Sequence, residues 1–143
     1  MSSAITSLLP ARPPAAALEL SDRIILWSMR EWLRAALAGD PVTLALKSGL
    51  EGIGLPDMAG PVACFMEEAT QSWPERLRLF PTGCGCPISY DEWLLLGCIG
   101  DAARKNRCAF DLRLCEMLAA GQRASLWRAA SRLAAATGNA IIC

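Results

Sequence analysis

The sequence predicts an all-α fold: a compact bundle of five to six helices without a β-sheet. Apolar residues recur with helical periodicity in five or more segments. Helix-start signals precede several of these segments, the clearest being Ser89 followed three residues later by Glu92. A polar–apolar alternation occurs in residues 75–81, but it has no partner strand elsewhere, so we expect an extended linker there.

The predicted helices are short and are separated by glycine and proline residues. We expect Ser21, Asp40 and Ser89 to cap three of them, and Gly39, Gly121 and Gly138 to end others. The inward positions of the third and sixth helices are predicted from their periodicity. These are Met58, Val62, Phe65, Met66 and Ala69 in the third helix, and Leu126, Trp127, Ala130 and Leu133 in the sixth.

A length of 143 residues fits one core. Residues 1–20 contain three prolines among small residues, so we predict a flexible N-terminal arm, followed by a single helical domain over residues 21–143. The N-terminus shows neither the pattern of a signal peptide nor a membrane span. We therefore expect a cytoplasmic protein with reduced thiols.

Composition argues against several function classes. The 14 basic and 14 acidic residues balance, so there is no overall attraction to nucleic acid or to an anionic membrane. The chain has no histidine, which removes the commonest general base and the commonest zinc ligand. No catalytic constellation is visible, and we therefore favour a non-catalytic protein.

Seven cysteines are present. Cys84 and Cys86, on either side of one glycine, form a candidate metal site, since two thiolates can hold a soft ion such as zinc or copper. Their place before a helix start also favours a reactive thiolate. The alternative is that they shape a tight turn. Four further cysteines lie among apolar residues, where we expect core packing, with an inter-helix metal cluster as the alternative: Cys64, Cys98, Cys108 and Cys115.

Two more groups are candidate sites. Asp91 and Glu92 could act as acid and base, but neighbouring helical positions diverge by ~100°, so we predict helix capping instead. A second group, which forms a stripe along the first helix, is predicted to contact another protein, because arginine and tryptophan are enriched at interface hot spots. Its members are Arg23, Trp27, Arg30 and Arg34.

Taken together, the motif Leu26-Trp27 with Arg30, and the motif Cys84-x-Cys86-Pro87-x-Ser89-x-Asp91-Glu92, resemble a family of small bacterial all-helical proteins of unknown function. In that family a cysteine-rich turn leads into a Ser/Thr-x-Asp-Glu helix start. The resemblance spans roughly residues 21–120 and implies the fold but no chemistry. Gly85 stands where some members carry a further cysteine.

The sequence thus predicts a small cytoplasmic interaction or regulatory module that binds another protein or itself. The alternative is a thiol-based metal-binding or redox-sensing protein that uses Cys84 and Cys86.

Overall fold

The computed structural model describes Ala15, residues 18–82 and residues 87–142, with side chains as far as residue 138. In these residues the structure is helical and has no sheet, which confirms the all-α prediction. A 3₁₀ turn, Pro56–Met58, precedes the third helix. The α-helices are α1 Leu20–Ala38, α2 Val42–Glu51, α3 Ala59–Ser72, α4 Tyr90–Ala103, α5 Arg107–Leu114 and α6 Ala120–Ile142.

Most of the predicted N-terminal arm, residues 1–14, 16 and 17, lies outside the described residues. Ala15 and Leu18 are half-buried against the core, and Leu20 already belongs to α1. The helical part of the chain therefore begins slightly before residue 21.

One of the three predicted caps is confirmed. Ser89 forms a complete capping box at the start of α4, in which its Oγ accepts from the Glu92 N–H at 3.0 Å and Glu92 Oε1 accepts from the Ser89 N–H at 2.8 Å. The Ser21 cap is wrong because α1 begins one residue earlier, after Glu19. The Asp40 cap is also wrong, since Pro41 is the N-cap of α2.

Of the three predicted glycine helix ends, Gly39 is confirmed; it takes the left-handed conformation with φ of 76°. Gly121 and Gly138 do not end helices, because both lie inside α6. An internal glycine costs a helix only about 1 kcal/mol relative to alanine. The packing of α6 along α3 and α4 outweighs that cost.

The core lies where α6 packs against α3 and α4, while α1 and α2 close it from the other side. The predicted inward residues of α3 are all buried, as are Leu126, Ala130 and Leu133 of α6, while Trp127 is half-buried. The largest side chains with under 2 % exposure come from all six α-helices and from the linkers between them; they include Met29, Leu46, Phe65, Leu95, Phe110 and Leu126.

The orientation of α5 differs from the prediction for two cysteines. Cys108 and Cys115 are exposed, whereas Phe110 and Leu114 are fully buried. The short helix carries two neighbouring apolar stripes, and only one can face the core. Burying the phenylalanine and leucine stripe removes more apolar surface from water. Cys98 of α4 is buried as predicted.

Within the part of the chain described here, no helix combines the length and apolar character needed to cross a membrane.

Candidate interaction surface

A groove lies between the first half of α1 and the end of α2. Its volume is about 400 Å³. We call it the α1–α2 groove; its lining residues are Leu20, Arg23, Ile24, Trp27, Gly49 and Ile53.

The sequence of α1 explains one wall of this groove. Leu20, Arg23, Ile24 and Trp27 follow each other at spacings of three, one and three residues, which places them on one face of a helix. On the other wall, the Trp27 indole lies directly over Gly49. A Cβ at position 49 would collide with the six-membered ring, so glycine is what allows the close approach.

The α1–α2 groove exposes apolar side chains to solvent. Leu20 is 55 % exposed and Ile53 is 56 % exposed. Arg23 is also exposed, and no ion pair or hydrogen bond of its side chain is found among the described residues. The groove therefore combines an apolar floor with a cationic rim.

Arg30 does not belong to this surface, which corrects the predicted stripe. Only 5 % of its side chain is exposed, and it forms a two-pronged ion pair with the fully buried Glu92. Arg30 Nε donates to Glu92 Oε2 at 2.7 Å, and Nη2 donates to Oε1 at 3.0 Å. This pair joins α1 to α4.

Glu92 also receives two backbone N–H groups, from Phe80 at 3.0 Å and from Ser89 at 2.8 Å. Ser89 also binds the linker that precedes α4, because its Oγ donates to the Arg78 carbonyl at 2.6 Å. Asp91 accepts the Arg78 N–H at 2.8 Å. Ser89, Asp91 and Glu92 therefore fix the chain on both sides of residues 81–88. The capping interpretation is confirmed for Glu92, whereas the Asp91 carboxylate binds the N–H of Arg78 in the linker.

Arg34 is exposed and is engaged within its own neighbourhood. It pairs with Glu31 on α1 and, at 3.4 Å, with Asp40. Of the four residues in the predicted stripe, the structure thus brings Arg23 and Trp27 together in one groove. It places Arg30 in the interior and Arg34 among acidic residues outside the groove.

Cys84 and Cys86 lie outside the described residues. Where side chains are described, no group of three or more cysteine, aspartate or glutamate residues is placed to hold a metal ion.

Burial raises the pKa of the Cys98 thiol to about 12, with Arg113 acting in the opposite direction. Cys98 is therefore a packing residue with very little thiolate character at neutral pH.

A second ion cluster joins α4 to α5. The buried Asp101 accepts from Arg113 at 3.0 Å and from Arg104 at 2.9 Å. The Arg113 guanidinium crosses α4 at Gly97, where an added Cβ would lie 2.5 Å from it. The hydrogen bond from Arg113 to Asp101 raises the pKa of Arg113. This cluster explains why position 97 is a glycine and why the carboxylate of Asp101 is buried.

Asp22, in the first turn of α1, faces a separate cavity of about 380 Å³ between α1 and α4. Burial raises the pKa of this carboxyl and nearby Glu19 raises it further, whereas Arg104 acts to lower it. The ionised form of Asp22 is therefore less favourable in the folded protein than in the unfolded chain.

Comparison of the chain with protein families, with curated proteins and with solved structures finds no match.

Sequence reasoning missed four groove residues and one partner. Leu20 falls within the predicted N-terminal arm, and Ile24, Gly49 and Ile53 belong to none of the predicted sites. A glycine inside a helix can mark a packing contact, and Gly49 is such a glycine. Glu92 was recognised as a capping residue, but nothing in the sequence pointed to Arg30, 62 positions away, as its partner.

Proposed function

We propose that this protein is a non-catalytic, cytoplasmic interaction or regulatory module that docks a partner protein in the α1–α2 groove. The observation that carries the proposal is the grouping of exposed Leu20, Ile53 and Arg23 around Trp27. Tryptophan and arginine are enriched at interface hot spots, and an apolar centre with a polar rim is typical of docking surfaces. The absence of histidine from the whole chain further supports a non-catalytic role.

The partner that this groove fits is an amphipathic helix that carries an acidic residue. Apolar side chains of such a helix would fill the space between Leu20 and Ile53, in the way that helices occupy grooves of other proteins. Its carboxylate would pair with Arg23, which has no acidic partner among the described residues. Charge complementarity would fix the orientation of the helix.

The test compares Ile53→Asp with Leu44→Asp. Leu44 lies on α2, nine residues before Ile53 in the turn that follows this helix. It is 64 % exposed but lies outside the groove lining, so it serves as an exposed apolar control. Proteins retained by the immobilised wild-type chain are compared with those retained by each variant, and binary affinities are then measured.

The proposal expects a partner that Leu44→Asp retains and that Ile53→Asp binds at least ten-fold more weakly. Arg23→Glu should also weaken that partner. Equal binding by Ile53→Asp and wild type would refute the groove as the docking surface.

A second candidate function is a thiol-based metal or redox site at Cys84 and Cys86. The observation that favours it is the double anchoring of the flanking chain by Ser89 and Glu92, since a site with fixed ends loses less entropy on binding. Zinc or copper content of anaerobically purified protein tests it. Loss of about one ion per chain in Cys84→Ser/Cys86→Ser, but not in Cys108→Ser/Cys115→Ser, would support the metal site. Metal-free wild type would contradict the metal site.

A further inference from the structure

The outward face of α5 carries apolar groups that no described part of the chain covers. Leu112 is 72 % exposed, more than any other large hydrophobic residue in the described part of the chain, and Cys108 and Cys115 beside it are exposed free thiols. We call these three residues the α5 face. The opposite face of the helix is anchored by Phe110 and Leu114, so the α5 face cannot turn inward.

Cys108 and Cys115 are spaced almost symmetrically on either side of Leu112. Cys108 and Cys115 are separated by seven residues, which is about 10 Å along a helix, and Leu112 lies near the middle. In an isologous contact, the same patch of two identical chains meets itself. If two α5 helices met in antiparallel orientation, Cys108 would oppose Cys115 of the second copy, and the two Leu112 side chains would pack together at the centre.

The charges at the ends of α5 select this orientation. Lys105 and Arg107 stand at its N-terminal end, and Glu116 follows its C-terminal end. Lys105 and Glu116 are exposed, and neither forms an ion pair within the described residues. An antiparallel pair brings Glu116 toward the basic end of the second copy at both ends of the contact. A parallel pair would place like charges together.

We infer that the α5 face is a self-association surface, at which a second copy of this chain packs in antiparallel orientation. The α5 helix has 8 residues, so the area it can bury falls below the ~1,200 Å² at the lower limit of stable interfaces. The dimer is therefore weak and depends on concentration. This inference is independent of the proposed function, because the α5 face and the α1–α2 groove share no residue.

Sedimentation equilibrium under reducing conditions tests the association. The average mass should rise from 15.3 kDa toward twice that value as protein concentration increases. Leu112→Asp should weaken the dimer at least ten-fold, whereas Leu44→Asp and Ile53→Asp should leave it unchanged. Glu116→Lys should weaken it too, because both ends of α5 then become basic. A constant monomer mass, or equal association by Leu112→Asp, would overturn the inference.

Cross-linking with a short bismaleimide tests the orientation. Isotope-labelled and unlabelled chains are mixed, and the covalent dimer is isolated and mapped by mass spectrometry, which separates links between chains from links within one chain. The antiparallel contact predicts links from Cys108 of one chain to Cys115 of the other. Links of Cys108 to Cys108 and Cys115 to Cys115 would indicate a parallel pair and refute the geometry.

Discussion

Replacing Arg30 by methionine tests whether the buried pair with Glu92 holds α1 against α4. Methionine keeps most of the apolar stem but removes the two donors at 2.7 and 3.0 Å. Glu92 is fully buried, so the variant leaves a carboxylate without its counter-ion in the interior. Breaking such a pair on one side destabilises a protein by about 3–5 kcal/mol. We expect the lower end of that range, because Phe80 and Ser89 still donate their N–H groups.

A loss of this size is a large part of the stability of a small domain, about 5–15 kcal/mol. Urea unfolding followed by tryptophan fluorescence measures it, provided that the denaturant slopes of the two proteins agree. Arg34→Met is the matched control, since Arg34 also forms ion pairs on α1 but is 47 % exposed, and we expect it to unfold close to wild type.

The double variant Arg30→Met/Glu92→Met completes the cycle. Because it removes both buried charges, it should be less destabilised than the two single variants added together. The reasoning is refuted if Arg30→Met costs less than about 1 kcal/mol, or if the single effects simply add.

Three further predictions concern other parts of the molecule. Gly97→Ala should destabilise the protein by about 1–2 kcal/mol, because the alanine Cβ displaces the Arg113 guanidinium from a buried carboxylate, while Gly138→Ala, inside α6 with open space around it, should stabilise it by about 0.5–1 kcal/mol in the same urea assay. Asp22→Asn should unfold at higher urea than wild type at pH 7, and the difference should vanish below about pH 4, since the raised pKa of Asp22 means that stability is lost as pH rises through it; a difference that grows toward low pH would contradict this. At pH 8, iodoacetamide should modify the exposed Cys108 far faster than Cys98, whose pKa of about 12 leaves a thiolate fraction of about 10⁻⁴, and peptide mass mapping over time gives the order.

The sequence was most informative where a structure depends on neighbouring residues. The Ser89 capping box spans three positions, and the left-handed stop at Gly39 depends on one. The inward residues of α3 follow from a single period repeated over four turns. Such features need only the geometry of one helix, so their residues could be named before any packing was known.

The sequence was least informative where its local pattern allowed two arrangements of a helix equally well. The two apolar stripes of α5 have the same period, and only the space left between α4 and α6 decided that Phe110 and Leu114 face inward. The sequence predicts a helix end at Gly138, yet α6 continues past it to Ile142. Local propensities of about 1 kcal/mol per residue are smaller than the free energy gained by burying the apolar side chains involved.

By itself, the sequence determined the all-α class, the cap of α4 and the inward positions of α3, because each of these depends on contacts within a few residues of chain. Only the tertiary structure decided that Arg30 is an interior ion partner, that Trp27 closes over Gly49, and that the thiols of α5 face solvent. These depend on which helices meet and at what distance. Arg30 and Glu92 are 62 residues apart, and a periodic pattern shows which face of a helix is apolar but not which charged side chain it meets across the core.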